Sequence, residues 1–497
     1  MVLEKSRQRI VDRGQKEYMA LQASQESLRN FFDTLASTRD YWVEKNAYYY
    51  KELTGIHKSL VPKHANILEI GCGTGNLLAS LAPSYGVGID FSHEMVKRAQ
   101  GKFPLLTFKV MDAHTLEFTE PFDYIILSNL VGYTEDIWKV FRELQKISHP
   151  DTRIIITNYN YFWQPFLSLG ELLGKKMPDK IQNWLPQESL IDFLSLNGFS
   201  LIKKGTYLHC PLYFGGIGET INRVFGVAPF ISRFGLIEFI VARPTFYREK
   251  PPVERSVSII VPTHQEAGNI QSIIEEMPEI GKSTELIFVD LPGNDGTGEK
   301  IRYLKRRYKG PLHIELVEQK EKNGKIGALR LGVKKAKGEI ILIYDADMTV
   351  PPQDLMKFYM ALVEGRAECI NGTRLVYPTE KGAMRFLNHM ANSFFALLFT
   401  WVLGQHFTDT LCGSKAFFKK DFEKFEKEHT SYDHFDRYGD FFLLFHSYMR
   451  NLQIAEVPVR YTQRRYGDTK LNRFTNGWEF FRMFLYFFWH TKVMRKV

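Results

Sequence analysis

Two aspartates, Asp345 and Asp347, stand one residue apart at the end of the apolar run EIILIYDADM. Carboxylates at that spacing are costly unless solvent or a cation compensates them, and together they can hold Mg2+ or Mn2+ against a diphosphate. A second group lies in the first half of the chain. There ILEIGCGTGNLLASLA, Ile67 to Ala82, carries an apolar strand into a turn with Gly71, Gly73 and Gly75 and then into a helix. Glycine at such a turn lets the backbone bend sharply and approach a ligand where any Cβ would intrude. The next apolar run, VGIDFS, ends in Asp90, roughly 20 residues past the turn, where a carboxylate can accept hydrogen bonds from ribose hydroxyls. A third, FKVMDAH, ends in Asp112, placed to meet an adenine amine.

The elements that must position these groups follow from the hydropathy pattern. Apolar β-branched runs (ILEIG, VGID, FKVMD, YIILSN, RIIITN) alternate with helical segments such as SHEMVKRAQ and DIWKVFRELQKI, as a parallel βαβ sheet demands. The segment RPTFYREKPPVER, with three prolines among clustered charges, interrupts the pattern and reads as a linker. Alternation then restarts with SVSIIVP, ELIFVD, HIELVEQ, EIILIYDAD and AECINGTR. A chain of 497 residues exceeds what one hydrophobic core usually serves. The expected architecture is therefore two α/β domains in series, over 1–245 and 256–497, joined by 246–255. A composition of 44% hydrophobic and 24% charged residues excludes a disordered chain, a collagen-like repeat and a polytopic membrane protein.

EIGCGTG, VGIDFS, MDA and FDYIILSN together resemble the class I S-adenosylmethionine methyltransferases, over roughly residues 25–245. The resemblance implies a Rossmann-like fold with S-adenosyl-L-methionine as cofactor. Glu69, Gly71, Gly73 and Gly75 would line its methionine end, Asp90 its ribose and Asp112 its adenine. Ser128 and Asn129 would floor the pocket near the transferred methyl. The methyl acceptor is not written in the sequence, since a sulfonium is already a strong electrophile and alignment supplies much of the catalysis. Tyr159, Tyr161 and His209 receive no role.

In the second half, SIIVPTHQEAGNI, IFVDLPGNDGT, KNGKIGALRLG, GTR and RYGDTKLNRF accompany the acidic pair in order. This set resembles the family 2 inverting glycosyltransferases of GT-A fold, nearest to the dolichol-phosphate mannosyltransferase and polyprenyl-phosphate glycosyltransferase group. The resemblance implies a nucleotide-diphospho-sugar donor and a lipid-phosphate or glycan acceptor. Pro262, Glu266 and Asp290 would hold the nucleotide base and ribose, and Asp345 and Asp347 the Mg2+ or Mn2+. Lys325, Arg374, Arg385, Arg464 and Lys470 would contact substrate, the arginines offering bidentate and the lysines point-charge contacts to phosphate. A lipid monophosphate, with a second pKa of about 6, needs no general base. A sugar hydroxyl does, and Asp440 is the candidate, its other reading being a helix-capping aspartate. His264, Gln265, Leu291 and Thr349 depart from the usual family pattern and leave nucleotide and sugar open.

Two other readings stand beside the bifunctional transferase. One is a binding scaffold in which one domain has lost its chemistry, motivated by Leu291 and Thr349; the other is a nucleic-acid-modifying methyltransferase, motivated by a net charge of +9. FDYIILSNLVGY stands where an NPPY-like tetrapeptide would be, so no nucleic-acid partner is expected. Cys72, Cys210, Cys369 and Cys412 form no CxxC pair, and the charged N-terminus lacks a secretory h-region, so the expected location is cytoplasmic. WEFFRMFLYFFWHTKVMRKV and FFALLFTWVL are too short to span a bilayer, for which ~20 apolar residues are needed. They read either as buried core helices or as a peripheral contact at the inner face of the cytoplasmic membrane.

Overall fold

The structure is a computed structural model that describes residues 25–179, 183–228, 231–245, 253–321, 323–376, 386–427, 439–466 and 473–493. The chain divides into two compact units, Met1–Pro244 and Thr245–Val497.

The first unit holds seven strands: β1 (Asn66–Ile70), β2 (Tyr85–Asp90), β3 (Thr107–Val110), β4 (Tyr124–Ser128), β5 (Arg153–Tyr159), β6 (Phe199–Tyr207) and β7 (Ile237–Pro244). They are ordered β3-β2-β1-β4-β5-β7-β6. Strands β1 to β5 pair in parallel, Leu68 lying opposite Val87 on one side and Ile125 on the other. β7 runs antiparallel to both β5 and β6, unlike the all-parallel dinucleotide-binding order. Alternate side chains feed two cores. Ile67, Ile126 and Ile155 pack with Leu53, Ile56 and Leu60 of helix Ala47–Leu60, while Leu68, Ile125 and Ile154 pack with Val140, Phe141 and Leu144 of helix Ile137–Lys146. Covering both faces explains why these strands are nearly unbroken apolar runs. Two helices start on side-chain caps that sequence alone suggests: Ser92 Oγ accepts from the Met95 N–H, and an Asp136 carboxylate oxygen accepts from the Lys139 N–H.

The second unit holds β8 (Ser256–Thr263), β9 (Ser283–Asp290), β10 (His313–Glu318), β11 (Ile340–Ile343), β12 (Cys369–Thr373), β13 (Lys415–Phe418) and β14 (Ile454–Pro458), ordered β10-β9-β8-β11-β13-β12-β14. β8 to β11 are parallel, and β13 is antiparallel to β11 and β12. In each unit the strand order reverses beside the first strand, between β1 and β4 and between β8 and β11, the crevice where open α/β sheets bind ligands.

A separate aromatic core joins helices Phe386–Leu403, Asp440–Met449 and Arg473–Phe488. Phe399 stacks on Phe441 at 4.8 Å and Phe445 on Phe487 at 4.3 Å. Burying one such ring stabilises by about 1.5–3 kcal/mol. The first of these helices is covered on one face only. Phe395, Phe399, Val402 and Leu403 are buried, whereas Met390, Phe394 and Leu397, spaced to share one face, are exposed. Among the described residues no helix is long and apolar enough to cross a membrane.

Candidate functional site

In the first unit the glycine turn follows β1, with Gly71, Gly73 and Gly75 at φ of 75°, 51° and 78°. At Gly75 a Cβ would also come within 2.7 Å of the Phe108 ring, so both backbone angle and space demand glycine. Asp90 ends β2 and accepts from the Gly73 N–H at 2.9 Å and the Ser92 N–H at 3.0 Å. Burial nonetheless raises its carboxyl above the ordinary value. Glu69 is 3% exposed and accepts from the Leu78 N–H at 3.0 Å; burial pushes it up to about 8. Asp112 behaves oppositely, held low by hydrogen bonds from the His114 ring and N–H. Ser128 ends β4 and accepts from Thr157 Oγ1 at 3.1 Å. The next residue, Asn129, takes a left-handed φ of 52°, gives its side-chain N–H to Tyr49 Oη at 3.1 Å and leaves its Oδ1 buried without a protein donor.

The structure adds residues to this edge that sequence motifs do not mark. Arg39 donates to Tyr50 Oη at 2.6 Å and lies 4.0 Å from where a Gly73 Cβ would stand, so its guanidinium faces the glycine turn. Tyr49 packs against Tyr50 at 5.1 Å and Tyr159 at 5.8 Å, and Tyr159 lies 6.4 Å from Trp184. Burial raises the phenols of Tyr49, Tyr133 and Tyr159, so they stay protonated. The aromatic run YWVEKNAYYY was the one available signal. Tyr161, by contrast, is 54% exposed, and the His209 ring lies against the carbonyls of Ile231 and Ser232.

In the second unit Asp345 and Asp347 follow β11 at the strand-order reversal. Lys325 Nζ donates to Asp345 Oδ1 at 2.6 Å and lies 3.8 Å from Asp440. Burial works to raise Asp345, but Lys325 and then Arg374 and Lys415 outweigh it and hold the carboxyl low. Arg464 donates to Asp347 Oδ2 at 2.8 Å and lies 3.5 Å from Glu266. Thr349 donates its N–H and hydroxyl to Asp347 Oδ1. Asp290 ends β9, accepts from Thr263 Oγ1 at 3.0 Å and is raised by burial. Pro262 and Thr263 close β8 beside it, paired with Val289 and Asp290. Arg374 is bidentate on Asp409 at 2.7 and 2.9 Å. Asp440 is the first residue of its helix, with Gly439 as the cap; its Oδ1 is buried without a hydrogen-bond donor, and burial raises it. The Asp440 side chain makes no cap hydrogen bond; its Oδ1 lies instead 3.8 Å from Lys325 Nζ and 3.9 Å from Lys415 Nζ. Arg385 and Lys470 lie outside the described residues.

A family model for glycosyl transferase family 2 matches residues 258–452, and one for a methyltransferase domain matches residues 67–151. The chain carries both domains in series. A dolichyl-phosphate hexose transferase of Haloferax volcanii is 28% identical over 44% of this chain and 89% of the relative. A dolichol-phosphate mannosyltransferase of Saccharomyces cerevisiae is 31% identical over 21% of this chain, and that match spans 40% of the yeast protein. For the methyltransferase domain, norajmaline N-methyltransferase of Rauvolfia serpentina is 33% identical over 20% of this chain and 37% of its own length.

In the glycosyltransferase domain the acidic pair suits a cation shared with a diphosphate. Among the described residues no three His, Cys, Asp or Glu side chains gather as a closed metal site. Two carboxylates supply hard oxygen donors and leave the other positions to phosphate oxygens and water, the habit of Mg2+ and Mn2+. Gly413 makes room, since a Cβ there would fall 1.8 Å from Asp345 Oδ2. Segment 408–415 therefore contributes Asp409, Gly413 and the fully buried Lys415, whose amine binds Asn371 Oδ1 and the Cys412 carbonyl. None of these stands in a motif recognised from sequence. In the methyltransferase domain the glycine turn, Glu69 and the Asn129 oxygen left without a donor form a cradle of the kind S-adenosylmethionine needs.

Proposed function

We propose that this chain is a bifunctional transferase. Its glycosyltransferase domain moves a sugar, with inversion and with a divalent cation, from a nucleotide-diphospho-sugar to a lipid-phosphate or glycan acceptor. Its methyltransferase domain methylates a related glycan or lipid-linked precursor. The observation that carries the reading is the Asp345–Asp347 pair at the β8/β11 crevice, ringed by Lys325, Arg374 and Arg464. The names of the two sugar-transferring relatives favour a lipid-phosphate acceptor.

A bound Mg2+ or Mn2+ would supply Lewis-acid stabilisation of the leaving diphosphate. Asp345 and Asp347 would hold it, and Lys325 and Arg464 would face the phosphate charge. Glu266 and Asp290 would orient the nucleoside. With a phosphate acceptor the nucleophile arrives ionised. With a hydroxyl acceptor Asp440, raised by burial and lacking a donor, would take the proton. In the methyltransferase domain Glu69 and the glycine turn would hold the methionyl end, Asp90 the ribose and Asp112 the adenine, while Ser128 and Asn129 would floor the pocket near the transferred methyl. S-adenosylmethionine would supply the electrophilic methyl group.

The exposed side chains Met390, Phe394 and Leu397, with Trp478 and Leu485 on the C-terminal helix and Trp489 just after it, suit contact with a membrane interface. Their helices pack through Phe399 onto Phe441, next to Asp440. The domain division expected from sequence, 1–245, 246–255 and 256–497, is part of this reading.

The test is incubation of the full chain with Mn2+, a panel of nucleotide-sugars and polyprenyl phosphate in detergent. Nucleoside diphosphate released together with a glycosylated lipid is the expected result. Binding of nucleotide-sugar without turnover on any acceptor would favour the scaffold reading. The Thr349 contacts to Asp347 argue against that reading, since the departure from family pattern still orients one carboxylate of the pair.

A further inference from the structure

The structure assigns Arg464 a second role: it is the internal counter-ion of the acidic pair, occupying Asp347 until a donor diphosphate draws it away. The inference rests on the reading of Asp345 and Asp347 as the cation-diphosphate ligands.

The two carboxylates are capped from different sides. Lys325 reaches Asp345 from the helix Gly324–Lys335. Arg464 reaches Asp347 from the irregular stretch 459–466 that follows β14. That stretch is tied down at several points. The Val459 N–H donates to Thr373 O and the Thr462 N–H to Thr349 O, both at 2.9 Å. Arg465 pairs with Glu276, and the Tyr466 ring lies so close to Gly268 that a Cβ there would meet it at 2.3 Å. Thr349 is the joint: its carbonyl holds the strap, and its N–H and hydroxyl hold Asp347. The backbone carrying Arg464 is thus registered to the carboxylate that Arg464 neutralises.

A cation arriving at Asp347 competes for Oδ2, the oxygen that Arg464 holds at 2.8 Å. Alone, a divalent ion must break the Arg464–Asp347 ion pair and leave the guanidinium to its remaining contacts, Glu266 at 3.5 Å among them. Accompanied by a diphosphate, it offers the guanidinium a planar, bidentate partner of higher charge. The exchange then costs little. Arg464 thereby disfavours occupation of the pair by bare cation and favours the cation that comes with donor, a specificity-determining role that needs only side-chain movement on an anchored strap. Glu266, 3.5 Å from the same guanidinium, is released by the same movement to meet the nucleoside.

The experiment is Mn2+ binding to the full chain, read by the electron paramagnetic resonance of free Mn2+, with the ion alone and then with GDP or UDP added. Arg464→Gln and Arg464→Ala are expected to bind Mn2+ alone about fivefold more tightly than the unaltered protein, the scale of losing one competing ion pair of ~1 kcal/mol. Arg464→Lys, which keeps the charge, is expected to stay within about twofold of the unaltered protein. With nucleoside diphosphate present the difference between Arg464→Gln and the unaltered protein should shrink or reverse. Equal or weaker binding of Mn2+ alone by both charge-removing variants, with thermal melts like that of the unaltered protein, overturns the inference and leaves the cation site standing. Absence of Mn2+ binding by every form, even with nucleoside diphosphate, removes the cation reading itself and the inference with it.

Discussion

Around the glycine turn of the methyltransferase domain the sheet edge presents Tyr49, Tyr50, Tyr159 and Asn129 with Arg39, beside the Glu69 and Asp90 carboxylates and the half-exposed Asp40–Lys102 pair. The matching edge of the glycosyltransferase domain presents Lys325, Lys415, Arg374 and Arg464 against Asp345, Asp347, Asp409 and Asp440. Both crevices lie where a parallel strand order reverses, so topology does not explain the contrast. The proposed chemistries do. Methyl transfer from a sulfonium disperses positive charge, and an aromatic wall with few cations suits it. Sugar transfer from a nucleotide concentrates negative charge on a diphosphate, which only fixed cations and a metal stabilise. Four buried or half-buried cations would be a heavy desolvation cost in a domain that did not use them.

The contrast is most easily broken at the acidic pair. Asp345→Ala or Asp347→Ala should lower nucleoside diphosphate release by about 10²–10³-fold or more while leaving S-adenosylhomocysteine formation unchanged. Unchanged sugar turnover in both variants would sink the glycosyltransferase mechanism. Of similar size is Lys415→Met, which leaves Asp440 beside one cation fewer and Asn371 without its donor. A loss of about 3–5 kcal/mol is expected in the guanidinium melt of the glycosyltransferase transition, with the methyltransferase transition unmoved.

In the methyltransferase domain, Arg39→Ala should weaken S-adenosylmethionine binding about 10–100-fold by calorimetry, the worth of one charge-assisted hydrogen bond, with sugar transfer intact. Wild-type affinity in that variant would mean that Arg39 only braces Tyr50. A last effect concerns pH. Burial lifts Glu69 from an ordinary 4.5 to about 8. Between those values the unfolded chain has released this proton and the folded domain has kept it, so the group's contribution makes stability fall as pH rises from about 4.5 to 8 and level off above. Glu69→Gln should remove that downward slope from melts taken across the window. An identical slope in the variant would show that Glu69 ionises freely in the folded domain.

Much of each site is legible in sequence because a local rule governs it. Gly71, Gly73 and Gly75 are demanded by positive φ, and Asp90, Asp345 and Asp347 sit at strand ends that hydropathy alone marks. Arg39, Lys415 and Asp409 obey no such rule. Their segments read as ordinary helix and loop, and they reach the crevices only through long-range packing, Arg374 meeting Asp409 across 35 residues and Lys325 meeting Asp345 across 20. Helix Phe386–Leu403 shows the same limit: an apolar run announces burial without saying which face is covered.

By itself, then, the amino-acid order determined the two α/β units, the strand ends and the turns, because periodicity, glycine and proline act over a few residues. Tertiary structure alone decided the electrostatics, namely which carboxylate meets which cation and which oxygen is left without a donor. Those properties depend on distances between segments far apart in the chain and on the removal of water between them, and neither is encoded in any short stretch of residues.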